Sequence, residues 1–213
     1  MPFTPYDAAT HAIGRARNLV DQARRQQKVI PYSVRGDMRR LAVVMAVGAL
    51  DTYMHRLILE RAYKQPDKKL PGALAKLDLP FEHLLGWADE AGGAARRPPH
   101  NSRPRVAVKR QLRDRLLRET YQRFDDVSKA LGMAGLAGKW DQIGAQLSPP
   151  MTPKQVRARL DAIVMRRNQI VHEGDYRRLE RPRDSRRNSL HARQARADID
   201  FVAQLIDAIH GVM

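Results

Sequence analysis

The chain has 213 residues, a length that fits one domain, and its 43% hydrophobic content is enough to build a core. It contains no cysteine, which excludes disulfides, thiol chemistry and a cysteine zinc site, and without an apolar run of about 18 residues or a signal-like start we expect a soluble cytoplasmic protein with no membrane segment. The net charge of +16 predicts a polyanionic partner; a high-GC genome would explain why arginine outnumbers lysine by about three to one, but not the excess itself.

Two long helices are predicted at the start of the chain. Residues 4–30 have an N-cap residue in Thr4, a first-turn proline in Pro5 and an acid near the positive helix end in Asp7. Residues 34–63 form the strongest helix, and its apolar residues occupy more than one side: Leu41, Val44, Met45, Gly48, Tyr53, Leu57 and Ile58. Such a helix is usually central and buried.

The middle of the chain is predicted to be an insert with basic character. A short amphipathic helix at 81–91 precedes a basic loop at 92–104, whose glycines and prolines do not suit regular structure. Helix resumes over 105–121 with a dense basic face, formed by Lys109, Arg110, Arg113, Arg115 and Arg118. Residues 124–147 predict two short helices.

The next helix begins at a capping-box sequence, Thr152-Pro153-Lys154-Gln155, with proline at the first helical position. An apolar stripe follows at Val156, Leu160 and Ile163. The same spacing continues to Arg167 and then Val171, so an arginine occupies a position where a core residue is expected. Gly174 is the predicted helix stop.

Since no β-alternation of useful length occurs, we predict an all-α fold, an antiparallel helical bundle with inserted short helices and basic loops. A single domain would span 1–213. Its parts are an N-terminal helix in 1–33, a bundle over 34–173 with the basic insert 92–104, a basic loop at 174–190 and a C-terminal helix over 191–213.

The segment Arg166-Arg167-Asn168-Gln169-Ile170-Val171-His172 carries the side chains best suited to phosphodiester chemistry. Arginine offers a fixed positive fork to phosphate oxygens, histidine transfers protons near neutral pH, and asparagine can orient a phosphate or hydroxyl. In so basic a chain the Arg-x4-His spacing is expected about once by chance, and it recurs from Arg186 to His191. A surface arginine and a helix-capping histidine remain the alternative interpretation.

Asp51 is a further candidate because it interrupts the apolar helix at 34–63. It either orients Arg167 or His172 from a neighbouring helix or pairs with His55 one turn later. The scattered histidines form no metal-ligand cluster, and the glycine-rich stretch 132–138 lacks the Lys-Ser/Thr ending of a phosphate loop, so neither a metal nor a cofactor is predicted.

The segment from Ile163 to Asp175, Ile-Val-Met-Arg-Arg-Asn-Gln-Ile-Val-His-Glu-Gly-Asp, resembles the Arg-x4-6-His signature of the HEPN superfamily. Two other blocks agree in order with its RiboL-PSP-HEPN branch. Residues 49–55, Ala-Leu-Asp-Thr-Tyr-Met-His, resemble the central helix of that branch, and 120–124 followed by 140–143 resemble its insert. The resemblance covers roughly residues 35–210.

The resemblance implies a HEPN-type bundle that forms a homodimer and acts as a metal-independent endoribonuclease, of a toxin or phage-defence type. Arg167 would stabilise the scissile phosphate, His172 would be the acid or base for attack by the RNA 2′-OH, and Asn168 would orient the site. The site would form at the dimer interface with Arg and His from both protomers. Products would carry a 2′,3′-cyclic phosphate and a 5′-OH, and DNA should resist cleavage.

The partners implied are RNA, a second copy of the chain and a cognate antitoxin protein. Charged segments at 92–118 and 176–196 would guide the RNA, with candidate contacts at Arg166, Lys109, Arg110, Arg113, Arg177 and Arg178. Some HEPN toxins have a modified tyrosine two residues after the histidine, but Gly174 stands there and the first tyrosine is Tyr176. Because some HEPN domains are inactive, the alternative is a non-catalytic module that binds RNA or a partner protein.

Overall fold

The computed structural model describes residues 3–64, 71–77, 104–176 and 187–213. The helix predicted at 81–91, residues 92–103 of the predicted basic loop, and Arg177 and Arg178 lie outside these ranges. Within them the chain is helical apart from its connections, and its one β contact is an isolated bridge between Tyr176 and Arg187. The predicted all-α class is confirmed.

Four long helices make up most of the described structure: α1 (Pro5–Arg25), α2 (Tyr32–Lys64), α7 (Pro153–Glu173) and α8 (Ala192–Gly211). The shorter ones fall between α2 and α7: α3 (Gly72–Ala75), α4 (Pro104–Leu116), α5 (Phe124–Met133) and α6 (Trp140–Ala145). Two ends were placed wrongly from sequence. The first helix stops at Arg25 rather than at residue 30, and the basic helix stops at Leu116 rather than at Tyr121. After Leu116 a turn continues to Glu119, whose amide donates to the Leu116 carbonyl at 2.9 Å, and the Tyr121 amide then donates to Asp51 Oδ1 on α2 at 2.6 Å.

Helices α1 and α8 run antiparallel. The Tyr6 hydroxyl donates to Asp207 at 2.9 Å towards one end of the pair, and Arg196 Nη1 lies 3.1 Å from an Asp21 oxygen towards the other. Helix α2 follows α1 after a short connection at 26–31 and therefore runs in the same direction as α8.

Helix α7 returns along α2 in the opposite direction. In the middle of α7, Asp161 accepts the Phe124 amide at 3.0 Å, three residues after the Tyr121 amide that binds Asp51 on α2. Nearer its end, Arg166 reaches the same buried carboxylate as Arg40 of α2. The middle of α7 is thus close to the level of Asp51 on α2, and its end is level with the N-terminal part of α2.

Helix α2 is the centre of the core, as predicted. It packs against α1, α7 and α8 and also against α4 and α5. Leu50, Tyr53 and Ile58 are fully buried, whereas Leu41 is 51% exposed, so the predicted apolar surface is not covered along its whole length. Within the described ranges, the stretch Tyr32–Ala62 contains an 18-residue window with a mean hydropathy of 1.3, so by length and composition alone it could cross a membrane. Since 56% of its most apolar window is buried, the composition fits the core helix of a soluble bundle.

Candidate functional site

Helix α7 carries the candidate motif and is fixed at both ends by local signals. At its start the Thr152 side chain accepts the Gln155 amide, and Gln155 Oε1 accepts the Thr152 amide at 2.8 Å, so the predicted capping box is present. At its end Gly174 adopts a left-handed conformation with φ 62°, which confirms the predicted stop. The motif therefore occupies the last two turns of a well-defined helix.

Arg167 lies where the apolar stripe of α7 leaves the core. Leu160 and Ile163 are buried, Arg167 is half-buried, and Val171 one turn later is 47% exposed. The guanidinium is turned towards its neighbour, with Nη1 donating to Asn168 Oδ1 at 3.0 Å. Its Nε is buried and has no acceptor among the described residues. Arg167 thus retains unused hydrogen-bond donors at the border of the core, where an added anion would satisfy them.

His172 is exposed in the last turn of α7, and Asn168 is half-buried one turn before it. Four residues of helix place these two side chains about 40° apart around the axis, whereas Arg167 and His172 are about 140° apart. Asn168 and His172 therefore share a face, as predicted. Arg167 and His172 of one chain start from different faces of the helix.

Arg166, a predicted RNA contact, uses its guanidinium for hydrogen bonds within the chain. Its Nη2 donates to Asp175 Oδ2 at 2.9 Å and to the Ser189 carbonyl at 3.2 Å. Arg40 Nε donates to the same carboxylate oxygen at 2.6 Å, and Asp175 is completely buried. The two arginines and Asp175 join α2, the end of α7 and the segment before α8, so this network supports the site from beneath.

Sequence reasoning missed Asp175 and Arg40. The available signal was an acid directly after a helix-stopping glycine, and Asp175 also has a positive φ of 61°, which aspartate tolerates better than most residues. Nothing local in the sequence indicated that this acid would be buried, because its arginine partner on α2 is 135 residues away.

Asp51 does not have the partners that its catalytic assignment requires. Its carboxylate accepts the Tyr121 amide at 2.6 Å and the Gln122 side chain at 3.3 Å, and lies 3.7 Å from His55 Nδ1. His55 lies beside Asp51, as in the alternative interpretation, with its Nδ1 2.8 Å from the Asp51 backbone carbonyl, and the carboxylate also anchors residues 121–122. Within the described residues no hydrogen bond joins Asp51 to Arg167 or His172, so its catalytic role stays a prediction, and its observed role is to hold the insert against α2.

The predicted basic face on α4 lies far from the end of α7. Arg110 and Arg113 are exposed, and the helix ends at Leu116, whose carbonyl lies 2.9 Å from His55 Nε2 on α2. His55 is about 22 Å along α2 from Arg40, at 1.5 Å per residue. The side chain of Lys109 and the residues Arg177 and Arg178 lie outside the described part of the chain. The C-terminal end of α4 therefore contacts α2 well away from the part of α2 that meets the end of α7.

Comparison with known proteins gives no family. No family model matches the chain, no curated protein matches it, and no solved structure matches it. Among the residues that the structure describes, no three His, Asp or Glu side chains form a group that could hold a metal ion. Any functional assignment therefore rests on the residues and geometry of α7 and its neighbours.

Proposed function

We propose that the chain is a metal-independent endoribonuclease of the HEPN type, a cytoplasmic toxin or phage-defence effector that needs no cofactor. The observation that carries the proposal is Arg167. Its half-buried guanidinium gives one of five N–H donors to Asn168, and the remaining donors on its Nη atoms can bind an anion such as the scissile phosphate of RNA. The resemblance of residues 163–175 to the HEPN signature supports the same assignment.

In the proposed reaction, His172 removes the proton from the ribose 2′-OH and, as the imidazolium, gives that proton to the leaving 5′-oxygen. A bond forms between the 2′-oxygen and phosphorus, and the bond from phosphorus to the 5′-oxygen breaks. Arg167 stabilises the charge that develops on the phosphate oxygens, and Asn168 fixes the guanidinium through its 3.0 Å contact. The products are a 2′,3′-cyclic phosphate and a free 5′-OH.

The proposed site is shared between two copies of the chain in a homodimer. Since Arg167 and His172 of one chain start about 140° apart around the helix axis, an arginine from one copy can face a histidine from the other more directly. Apolar side chains beside the motif support contact with another chain. Met165 is 57% exposed and Val171 is 47% exposed on α7.

The second candidate function is a non-catalytic module that binds RNA or a partner protein, including a cognate antitoxin. If the chain acts as a monomer, this second function is favoured, because Arg167 and His172 of one chain project from different faces of α7 and are not placed to act on the same phosphate. In that case Arg167 would bind a backbone phosphate without chemistry.

The decisive experiment measures cleavage of labelled RNA in the presence of EDTA, with product ends analysed by mass spectrometry. We expect wild-type protein to yield 2′,3′-cyclic phosphate ends, and Arg167→Ala or His172→Ala to abolish cleavage. Arg15→Ala and His11→Ala, exposed positions on α1 outside the proposed RNA-guiding segments, are matched controls and should cleave as wild type. Binding of intact RNA by a folded wild type that leaves no cleaved ends would establish the module instead.

Sharing of the site is tested by mixing variants. Co-refolded Arg167→Ala and His172→Ala chains should recover part of the activity, because mixed dimers combine one intact arginine with one intact histidine. No recovery, in a mixture shown to contain mixed dimers, would place the site within a single copy.

A further inference from the structure

A cavity of about 240 Å³ lies between α7 and the start of α8, on a different face of α7 from Asn168 and His172. Its polar lining residues are Arg159, Arg166, Ser189, Gln194 and Asp198, and its apolar ones are Ala162, Ile163 and Leu190. Arg159 and Arg166 are two turns apart on one face of α7, about 10 Å along the axis. Ala162 lies between them. The arrangement is a short groove with an arginine at each end.

The acids in this region do not balance its arginines. Asp198 Oδ1 accepts Arg159 Nη2 at 2.6 Å and Gln194 Nε2 at 2.9 Å. Asp175 is shared by Arg166 and Arg40. Arg39 is buried and donates to the carbonyl of Leu190, which lines the cavity, at 3.1 Å. Four guanidinium groups and two carboxylates therefore leave a charge of +2 (4 − 2). Adding the Arg187–Asp37 ion pair, whose acid also lies 3.6 Å from Arg40, keeps the sum at +2.

Hydrogen-bonding capacity points the same way as charge. Arginine has five N–H donors, and the Arg159 guanidinium, whose side chain is one-third exposed, gives one of them to Asp198. The exposed Ser189 hydroxyl adds a donor at the rim. An anion with two free oxygens would reduce the excess positive charge and supply acceptors together.

We infer that this cavity binds one phosphate group of a nucleic acid strand, as an attachment point separate from the Arg167–His172 site. A phosphodiester carries one negative charge, which reduces the excess positive charge, and two free oxygens, which can accept the open donors of Arg159 and Ser189. The volume is below that of a site for a drug-sized ligand, which suits a phosphate with its sugar against Ile163 and Leu190 and leaves no room for several nucleotides. The inference rests on the proposed function for RNA as the strand, but not for anion binding itself.

The test uses variants at Ala162, which is exposed and lines the cavity, and at Ala158, which is exposed one turn earlier and does not. Ala162→Glu and Ala158→Glu change the net charge equally, and Ala162→Phe and Ala158→Phe add equal volume. The probe is a fluorescein-labelled single-stranded DNA oligonucleotide, which the proposed chemistry cannot cleave. Its dissociation constant is measured against salt concentration for the full chain and each folded variant.

We expect both Ala162 variants to weaken binding and to reduce the slope of log K against log salt by about 0.7, the loss of one phosphate contact to a single strand. Both Ala158 variants should keep the wild-type slope. A nucleoside monophosphate titrated by calorimetry identifies the source of the phosphate. If it binds the wild type as tightly as the strand does and fails to bind Ala162→Glu, a phosphate site stands with free nucleotide as its ligand. Equal slopes and affinities for the Ala162 and Ala158 variants would overturn the inference.

The RNA cleavage assay keeps the two proposals apart. Wild-type cleavage with no effect of the Ala162 variants on binding would remove the phosphate site and leave the nuclease. If the wild type never cleaves RNA but the Ala162 variants still bind the oligonucleotide more weakly than it does, the phosphate site would stand and the nuclease would be removed.

Discussion

Arg166 and Asp175 form a 2.9 Å ion pair that spans the end of helix α7, and the carboxylate is completely buried. Arg40 of α2 binds the same oxygen at 2.6 Å, and the Asn188 side chain lies 3.3 Å from the other. Through this pair the last turn of α7, which carries His172, is fixed against the central helix. The candidate site is therefore supported by a buried acid, Asp175, which forms hydrogen bonds or ion pairs with Arg166, Arg40 and Asn188 but not with the motif side chains Arg167 or His172.

Replacing Asp175 by asparagine should destabilise the fold by about 3 kcal/mol, because two largely buried guanidinium groups lose their counter-ion while the side-chain shape is kept. Asparagine also tolerates the positive φ of 61° at this position, so backbone strain does not confuse the result. Urea denaturation measures the free energy of unfolding. Asp125→Asn, which removes a well-exposed ion pair with Arg157, is the control and should cost far less. Equal losses from the two substitutions would contradict the structural importance of the Asp175 network.

Gly144 and Gly14 should respond oppositely to alanine. A Cβ at Gly144 would lie 2.1 Å from the Met151 carbonyl oxygen, so Gly144→Ala should cost about 1–3 kcal/mol through overpacking against the backbone. At Gly14, inside α1, a Cβ would meet no atom within 4 Å, and Gly14→Ala should stabilise the fold by about 0.5–1 kcal/mol through helix propensity. Thermal unfolding of both variants checks the pair. A Gly144→Ala protein as stable as wild type would show that the α6 turn and residue 151 are not held as close as described.

Thr152→Ala should lower stability by about 1 kcal/mol, because the first turn of α7 loses its capping box. The effect should appear as faster hydrogen exchange of the Gln155 amide, which the Thr152 side chain accepts. Thr152→Ser keeps the hydroxyl and serves as the control, with exchange close to that of the wild type. Unchanged protection at residue 155 in the alanine variant would mean that the cap contributes nothing to the helix end.

Asp198 predicts a pH dependence of stability. Burial raises the pKa of this carboxyl above its ordinary value, against the opposing effects of Arg159 and Gln194. Since the folded state holds the proton more tightly than the unfolded state, this group makes stability fall as pH rises from the ordinary aspartate range through the folded pKa. Asp198→Asn should remove that part of the slope.

For Asp198, the free energy of unfolding is measured by urea denaturation at a series of pH values from about 4 to 7. This range begins near the ordinary aspartate pKa of about 3.9, above which the contribution of Asp198 should be lost. The exposed Asp141→Asn variant should run parallel to the wild type. If the Asp198→Asn curve is also parallel to the wild type across this range, the burial of Asp198 does not control its proton affinity.

Elements with strong local signals were predicted well. The N-cap at Thr4, the capping box at Thr152, the stop at Gly174 and the start of α8 after His191 all lie where the sequence placed them, because each depends on residues within one turn. The end of α4 and the hydrogen bond that follows it were not predicted, because the Tyr121 amide is bound by Asp51 from another helix and no local pattern indicates that contact.

The sequence by itself determined the helical class, the burial of α2 and the position of the Arg167–His172 motif on a capped helix, because helix periodicity and capping are encoded over a few residues. Only the tertiary structure decided which charged groups meet: that Asp175 would join Arg40 to Arg166, that Arg159 and Arg166 would line one cavity, and that Arg167 would stand at the edge of the core. Partners up to 135 residues apart along the chain are brought together by helix packing, and no local pattern records that distance.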